Sequence, residues 1–129
     1  MKKYPDFYRC SICGNLVGKI EDSGVELICC GQPMDKLIAN TVDASKEKHV
    51  PVAEIDGDTI TVKVGSVAHP MVDEHYIQWI CVMSGNRVQR VSLSPGQEPM
   101  ATFIVPESGE IEVYEYCNLH GLWKATINK

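Results

Sequence analysis

The sequence predicts an all-β protein in two parts, a small metal-stapled domain over residues 1–37 and an antiparallel β-sandwich over residues 38–129. Three observations lead to this prediction. Four of the six cysteines fall in the first part, short segments of alternating apolar and polar residues fill the second, and turn signals separate those segments. No stretch has a helical period long enough to predict a helix.

The first part is too short to fold on apolar burial alone. About 37 residues bury too little surface to offset chain entropy, so a metal or another staple is expected. Its cysteines form a Cys-x-x-Cys pair and then an adjacent pair, each followed by glycine: Cys10, Cys13, Cys29 and Cys30. Four thiolates in this arrangement suit a tetrahedral iron or zinc site, although an ordinary zinc ribbon has a second Cys-x-x-Cys.

The second part begins after a connector over Leu37–Asp43 and then consists of strands and turns. Thr59–Val64 alternates with period two and follows Asp56-Gly57, a strong hairpin-turn signal. Further strands are predicted between turns rich in Gly, Pro, Ser and Asn, at residues 75–83, 87–93, 100–105, 110–116 and 122–127. About seven short strands in roughly 90 residues favour an antiparallel sandwich.

Charge and composition exclude several classes of function. The net charge is −5, and residues 38–129 account for all of it, so there is no basic stripe to bind nucleic acid. No segment is apolar enough to span a membrane, and the first seven residues lack the apolar run of a signal peptide. We therefore expect a cytoplasmic protein, in which clustered thiols stay reduced and bind metal.

Four histidines and one cysteine of the second part form the candidate functional site: His49, His69, His75, Cys117 and His120. Each histidine is predicted at a strand end or in a loop, where a scaffold usually displays functional groups. Cys117 and His120 form a Cys-x-x-His pair, and thiolate with neutral imidazole suits iron, copper or zinc. We interpret the five side chains as ligands of one shared metal.

These motifs resemble those of a known family. The four cysteines of the first part are similar to the four-thiolate iron domain of desulforedoxin. Glu47-Lys48-His49-Val50-Pro51, His69-Pro70-Met71 with His75, and Cys117-Asn118-Leu119-His120-Gly121 resemble the iron site of neelaredoxin. In this order, and over essentially the whole chain, they resemble a desulfoferrodoxin, the two-iron class of superoxide reductase.

The resemblance implies two iron ions per chain and an immunoglobulin-like sandwich. One iron is bound by the four cysteines, and the catalytic iron has the four histidines in a plane, the Cys117 sulfur below it and the sixth position open. The implied reaction is one-electron reduction of superoxide to hydrogen peroxide without release of dioxygen. An external donor such as rubredoxin would re-reduce the iron, and a homodimer is implied by the resemblance alone.

The resemblance also gives roles to the two residues before His49. Lys48 would supply the positive potential that an acidic protein otherwise denies to an anion. Glu47 would fill the open position of the oxidised iron once product has left. An adjacent Glu and Lys are more often a solvated surface pair, and the neighbouring His49 is what favours a functional role here.

The remaining cysteine and the two tryptophans are expected to be structural. Cys81 lies in the apolar segment Ile77–Met83 and is expected to be an inert core thiol. Trp79 and Trp123 are expected to pack in the core or at its rim rather than to relay electrons.

Two other functions are open from the residues alone. A blue-copper electron carrier also has Cys-x-x-His near the end of a β-sandwich, but it usually needs a methionine just beyond the loop and would leave two histidines unused. A zinc-stabilised binding module would explain the four N-terminal cysteines and leave Cys117 and the histidines idle.

Overall fold

The computed structural model describes residues 5–42 and 44–129, which form two compact units, Met1–Ile38 and Ala39–Lys129. Residues 1–4, part of the segment that lacks a signal-like apolar run, and Asp43, the end of the predicted connector, lie outside the described residues. None of the helices in the described ranges has the length and apolar character needed to cross a membrane.

The first unit consists of short antiparallel strands joined by the cysteine loops. The strands are β1 Asp6–Arg9, β2 Leu16–Lys19, β3 Ile28–Cys29, β4 Gln32–Pro33 and β5 Asp35–Lys36. A three-stranded sheet has the order β2-β1-β5, and β3 pairs with β4 in a separate hairpin. Few side chains are buried in this unit, so its apolar core is small and the four cysteines are its main link between loops.

The second unit is a seven-stranded sandwich of one three-stranded and one four-stranded antiparallel sheet. Its elements are α1 Lys46–His49, β6 Pro51–Asp56, β7 Thr59–Val64, β8 Ile77–Ser84, β9 Arg87–Ser92, β10 Met100–Ile104, β11 Glu110–Cys117 and β12 Gly121–Asn128. The sheet orders are β10-β7-β6 and β12-β11-β8-β9. The all-β prediction is confirmed, and seven strands divided in this way are typical of immunoglobulin-like sandwiches.

The inner faces of the two sheets supply the core. Along β7, the alternation seen in the sequence places Ile60 and Val62 inward, where each is 0% exposed. Val82 of β8 and Val113 of β11 pack against them from the other sheet and are equally buried. Burial of these branched side chains stabilises the sandwich by about 1.5–3 kcal/mol for each one.

Local structure departs from the sequence prediction where the ligands lie. The four-residue helix α1 was not predicted, because a single turn is too short to produce a helical period. The strand predicted to begin at His75 begins at Ile77, since His75 instead forms a bridge with Val72. The pairing of β11 with β8 shifts register between Tyr116 and Cys117, so the last residue of β11 is turned relative to the regular ladder.

The strand register brings the histidine-bearing segments to one end of the sandwich. Pro51 at the start of β6 pairs with Val64 at the end of β7. In the other sheet, Cys117 at the end of β11 pairs with both Ile77 at the start of β8 and Gly121 at the start of β12. The helix before β6, the loop between β7 and β8 and the β11–β12 turn therefore all emerge at this end.

Cys81 and Trp79 are buried in the four-stranded sheet, and neither belongs to the two candidate metal clusters. Cys81 is 1% exposed, and burial raises the pKa of its thiol to about 12, so the thiol stays protonated at neutral pH. Trp79 is 7% exposed and stacks on Tyr116 with ring centroids 5.7 Å apart. Both side chains therefore contribute packing, as the sequence led us to expect.

Candidate metal sites

The first unit brings its four cysteines together into one cluster. The sulfurs of Cys10, Cys13, Cys29 and Cys30 all lie within 4.8 Å of one another, and the Cys13 and Cys29 sulfurs are 3.6 Å apart. Sulfurs at the corners of a tetrahedron around a metal, with bonds of about 2.3 Å, stand roughly 3.8 Å apart. The cluster therefore has the size of a four-thiolate metal site.

The backbone of the first cysteine loop is shaped to stabilise thiolates. The Cys13 and Asn15 N–H groups donate to the sulfurs of Cys10 and Cys13, each at 3.5 Å. Gly14 has φ of +82°, a left-handed conformation that a side chain rarely adopts, and it allows the tight turn that aims these groups. The Cys13 N–H lowers the pKa of Cys10 to about 6.

The other sulfurs cannot all lose their protons without a cation. The neighbouring Cys13 sulfur, followed by the other thiols of the cluster, raises the pKa of Cys30 to about 12. The Cys10 thiolate therefore forms readily, whereas the neighbouring sulfurs oppose loss of the protons of Cys29 and Cys30. A metal ion among the four sulfurs removes this opposition, so the donor set fits the iron that the resemblance implies.

In the second unit the four histidine rings form a square. Neighbouring ring centroids are 4.7 Å apart for His49 and His69, 4.6 Å for His69 and His75, 5.1 Å for His75 and His120, and 4.8 Å for His120 and His49. Each neighbouring pair is nearly perpendicular, and the opposite rings of His49 and His75 lie 6.3 Å apart. Cys117 lies against this square, with its sulfur 3.9 Å from His120 Nδ1.

Backbone carbonyls fix which nitrogen points into the square. His49 Nδ1 lies 2.7 Å from the Ser45 carbonyl oxygen, and His69 Nδ1 lies 2.7 Å from the Pro70 carbonyl oxygen. A carbonyl only accepts, so each Nδ1 must carry the hydrogen and each neutral ring must present the lone pair of Nε2. These two Nε2 atoms are 3.2 Å apart, and His49 Nε2 is 3.0 Å from His120 Nδ1.

Two facing lone pairs repel each other unless a cation lies between them. Burial lowers the pKa of His69 to about 4 and also lowers the pKa of His49 and His75, so a proton does not fill this role at neutral pH. Nitrogens at right angles about a metal, with bonds of about 2.1 Å, stand roughly 3 Å apart, as these do. The two nitrogen–nitrogen distances therefore fit imidazoles that would share one metal ion.

His75 and Cys117 supply two further buried donors. His75 Nε2 is buried without a hydrogen-bond partner among the described residues. Cys117 is 0% exposed, and burial raises the pKa of its thiol, so a thiolate forms there only next to a positive charge. A buried orphan nitrogen and a buried thiol beside three further imidazoles fit one iron.

The loop between β7 and β8 is fastened to helix α1. The Glu47 carbonyl oxygen accepts from the Val67 N–H at 2.9 Å and from the Ser66 hydroxyl at 3.3 Å. A Cβ at Gly65 would collide with the same carbonyl oxygen, so only glycine allows this approach. These contacts set the distance between the segment that carries His49 and the segment that carries His69.

Glu47 and Lys48 lie at the exposed side of the site. Burial first, then the neighbouring imidazoles and finally the Lys48 charge lower the pKa of His49 and of His75. Within residues 5–42 and 44–129 the Lys48 ammonium forms no ion pair. The Glu47 carboxylate accepts a hydrogen bond from the Ser45 hydroxyl at 2.8 Å.

The structure adds one aromatic contact that the sequence did not predict. Trp123 is 1% exposed and stacks on the His49 ring with centroids 5.0 Å apart. Its indole N–H donates to the His120 carbonyl oxygen at 3.1 Å. Trp123 packs as expected, but it does so against two of the proposed ligands, a contact that no local pattern in the sequence reveals.

Glu115 is a second residue that sequence reasoning missed. It is 0% exposed on the inward face of β11, two residues before Cys117, and neither carboxyl oxygen has a partner among the described residues. Burial raises the pKa of Glu115 to about 9, so the side chain is uncharged at pH 7. The signal in the sequence was a glutamate at a position where strand alternation requires an apolar residue.

Comparison with known proteins matches both units. The Desulfoferrodoxin family profile matches residues 41–126, and the profile of the Desulfoferrodoxin N-terminal domain matches residues 3–37. The chain is 52% identical over 120 residues to the desulfoferrodoxin of Syntrophotalea carbinolica, covering 93% of this chain and 94% of that protein.

Solved structures of superoxide reductases are similar either to nearly the whole chain or to about two thirds of it. The superoxide reductase from Treponema pallidum has a TM-score of 0.75 and 37% identity, covering 96% of this chain and 99% of that chain. The one-iron superoxide reductase from Giardia intestinalis has a TM-score of 0.59 and 32% identity, covering 65% of this chain and 100% of its own.

Replacement of Cys13 tests whether the two metal sites are independent. Because Cys13→Ser leaves three thiolates, we expect affinity for the first metal to fall more than 100-fold, beyond the roughly 10- to 100-fold cost of losing a supporting contact. The second site should keep its metal, since all five of its donors belong to the second unit. Metal content and the visible spectrum of the oxidised protein measure both effects.

Cys81→Ser is the matched control, because it removes a thiol that belongs to neither cluster. It should leave the bands of both centres in place. Loss of both centres in the Cys13→Ser protein would contradict the independence of the two sites.

Proposed function

The chain belongs to the desulfoferrodoxin family, and on that premise we propose that it is a superoxide reductase whose second site carries out the reaction. The observation that carries this proposal is the square of four imidazoles with a buried cysteine thiol beside it. The superoxide reductases to which the chain is similar support the same reaction.

The side chains that would hold the catalytic iron are His49, His69, His75 and His120 with Cys117, and those of the first site are Cys10, Cys13, Cys29 and Cys30. When bound at the second site, iron(II) supplies one electron to superoxide, which takes up two protons and becomes hydrogen peroxide, after which an external donor restores iron(II). The protein selects this outcome through the donors it offers: four uncharged nitrogens and one soft thiolate favour iron(II) as the resting state.

Access to the site is from the histidine side. Cys117 is fully buried, whereas His75 and His120 are only partly buried, so a small anion meets the imidazoles and not the sulfur. The thiolate thus donates from the protein side, where neither water nor peroxide reaches it. Burial also excludes the sulfur from oxidation by the product.

We propose Lys48 as the residue that attracts superoxide. The chain has a net charge of −5, which repels an anion over most of its surface. The exposed Lys48 ammonium projects its charge onto His49 and His75, and it has no described carboxylate partner to neutralise it. It therefore provides a local positive potential at the entrance.

We propose Glu47 as a closing ligand rather than a proton donor. Its carboxylate is exposed, two residues before His49, and a serine hydroxyl holds it next to the site. A carboxylate oxygen is a hard donor that suits iron(III) better than iron(II). Its approach would follow oxidation and would be reversed by re-reduction.

The two alternative functions account for less of the structure. A copper carrier needs an axial methionine, but the sulfur of Met71, between His69 and His75, accepts from the Ile77 N–H at 3.3 Å. A zinc-stabilised binding module gives no reason for five converging donors in the second unit. Both alternatives leave the orphan nitrogen of His75 unexplained.

The same proposal extends to the cellular setting of the chain. We propose a domain boundary after residue 37, a rubredoxin or similar small protein as electron donor, a homodimer, and a role in cytoplasmic detoxification of superoxide under oxidative stress. Removal of superoxide without release of dioxygen suits cells that avoid oxygen. The donor set of four thiolates supports an electron-transfer role for the first site.

The stoichiometry of the reaction tests the proposed function. The reduced protein should yield one hydrogen peroxide for each superoxide consumed and no dioxygen, whereas dismutation would yield dioxygen and half as much peroxide.

In a Cys117→Ser protein the thiolate-to-iron(III) band of the second centre should disappear, because the soft thiolate donor is gone. A Cys117→Ser protein with that band and full superoxide reduction would show that the axial assignment is wrong.

Lys48→Ala should slow the bimolecular reaction with superoxide roughly two- to tenfold at low ionic strength, because one unit of attractive charge is lost at the entrance. The salt dependence of the rate should flatten, since the field of an exposed charge is screened within about 10 Å at 0.1 M salt. Lys46→Ala removes an exposed charge from the same helix, and its effect should be smaller. Equal effects of the two substitutions at every ionic strength would reduce Lys48 to a solvated residue.

Glu47→Ala should leave the rate of superoxide consumption near normal, because a closing ligand acts after product has left. The oxidised protein should bind added azide or cyanide more tightly, since the competing carboxylate is absent. Glu54→Ala, which removes an exposed carboxylate from β6, should change neither property. If release of peroxide slows by orders of magnitude in Glu47→Ala, the residue is a general acid and the closing role is wrong.

A further inference from the structure

The four histidines of the second site are not oriented in the same way. His49 and His69 each have a backbone carbonyl on Nδ1, at 2.7 Å in both cases. His120 lies in a tight turn only three residues after Cys117, and its carbonyl oxygen accepts from Trp123. The ring of His75 forms no hydrogen bond with any residue in the described ranges, and its Nε2 is buried.

The direction of the His75 ring therefore depends on how firmly its backbone is held. On the N-terminal side, His75 exchanges two backbone hydrogen bonds with Val72, each of 3.1 Å. On both sides of His75, the backbone is bound by one side chain of the Cys117 loop. Asn118 Oδ1 accepts from the Tyr76 N–H at 2.9 Å, and Asn118 Nδ2 donates to the Glu74 carbonyl oxygen at 3.0 Å.

A third hydrogen bond completes this connection. The backbone N–H of Asn118 donates to the Tyr76 carbonyl oxygen at 3.3 Å. The residue beside Cys117 thus binds the residues on either side of His75. No regular ladder bond can do this here, because β8 begins only at Ile77 and the β11 register shifts at Cys117.

We propose that Asn118 is a positioning residue that sets the His75 imidazole relative to the Cys117 sulfur. An asparagine amide combines one acceptor and two donors on a short side chain, which is what the Tyr76 N–H and the Glu74 carbonyl together require. Aspartate keeps the acceptor and loses the donor, and alanine loses both. Asn118 touches neither the ring nor the sulfur, so it acts through the backbone of the two loops.

The inference rests on the proposed function only in taking His75 and Cys117 as ligands of one iron. Its tests therefore measure iron retention and backbone protection, which remain measurable even if the protein does not reduce superoxide. Failure of the proposed function would appear as an absence of peroxide from the unaltered protein. Failure of this inference would appear as an Asn118 variant with unaltered iron retention.

The first test measures the rate at which the oxidised protein releases iron to excess EDTA. Loss of the thiolate-to-iron(III) absorption band of the second centre reports this release. In Asn118→Ala, release should be about 10- to 100-fold faster, the usual cost of losing a contact that orients a ligand. The band should also shift, because the angle between the imidazole and the thiolate is less well fixed. The four-thiolate centre of the same molecules is an internal control and should be unchanged.

Two further variants distinguish a specific positioning role of Asn118 from a general loss of protein stability. Asn86→Ala alters an exposed asparagine in the β8–β9 turn and should release iron at the unaltered rate. Asn118→Asp, which preserves the acceptor for Tyr76, should release iron at an intermediate rate and also covers the case in which Asn118→Ala does not fold. An unchanged band with unaltered release in both Asn118 variants overturns the proposal, as does equal acceleration at both centres.

The second test is amide hydrogen exchange at Tyr76 in the iron-loaded protein. The Asn118 side chain is the acceptor of this N–H, so exchange should become at least tenfold faster in Asn118→Ala, whereas Asn118→Asp should retain protection. The Asn86→Ala protein should match the unaltered one. Equal Tyr76 exchange in the Asn118→Ala and unaltered proteins overturns the proposed clamp.

Discussion

The structure of the second unit depends on one electrostatic constraint, the convergence of buried lone pairs that have no proton between them. His49 and His69 direct their Nε2 atoms at each other from 3.2 Å, and both Nδ1 hydrogens are already donated to carbonyls. Burial keeps these rings neutral by lowering their pKa values. Such an arrangement is unfavourable without a cation, so the free energy of metal binding contributes directly to the stability of this end of the sandwich.

In the sandwich, the core makes the strands rigid, whereas contacts between the connecting segments place the ligands. Its core of aliphatic side chains fixes the ends of the strands, and the ligands lie on short connections that leave one end of the two sheets. Each connection is then tied to another by a specific contact: Gly65 against the Glu47 carbonyl, Trp123 against His49 and His120, and Asn118 against Glu74 and Tyr76. These contacts fix the directions of the donors, which lowers the entropic cost of metal binding.

The sequence predicted the donors and the strands because both have local signals. Cysteine spacing, histidines next to turns and period-two alternation can all be recognised within ten residues. The contacts that orient the donors could not be predicted in this way, because Asn118 and Glu74 are 44 residues apart and His49 and Trp123 come from opposite ends of the sandwich sequence. Helix α1 was missed because one turn has no period, and the start of β8 was misplaced because a bridge at His75 replaces the ladder there.

The charge of the two donor sets explains why only one of them suits an anionic substrate. Four thiolates around iron give a net charge of −1 or −2 in the two oxidation states, which repels superoxide and suits electron transfer. Four neutral imidazoles and one thiolate around iron(II) would leave a net charge of +1, and in the proposed role Lys48 would add to it from the surface. Glu115, two residues from the sulfur, would cancel that charge if ionised, but burial raises its pKa to about 9 and keeps it neutral. The second site would therefore be positive although the chain as a whole is acidic. It would be positive because four of its five ligands are neutral imidazoles and not thiolates.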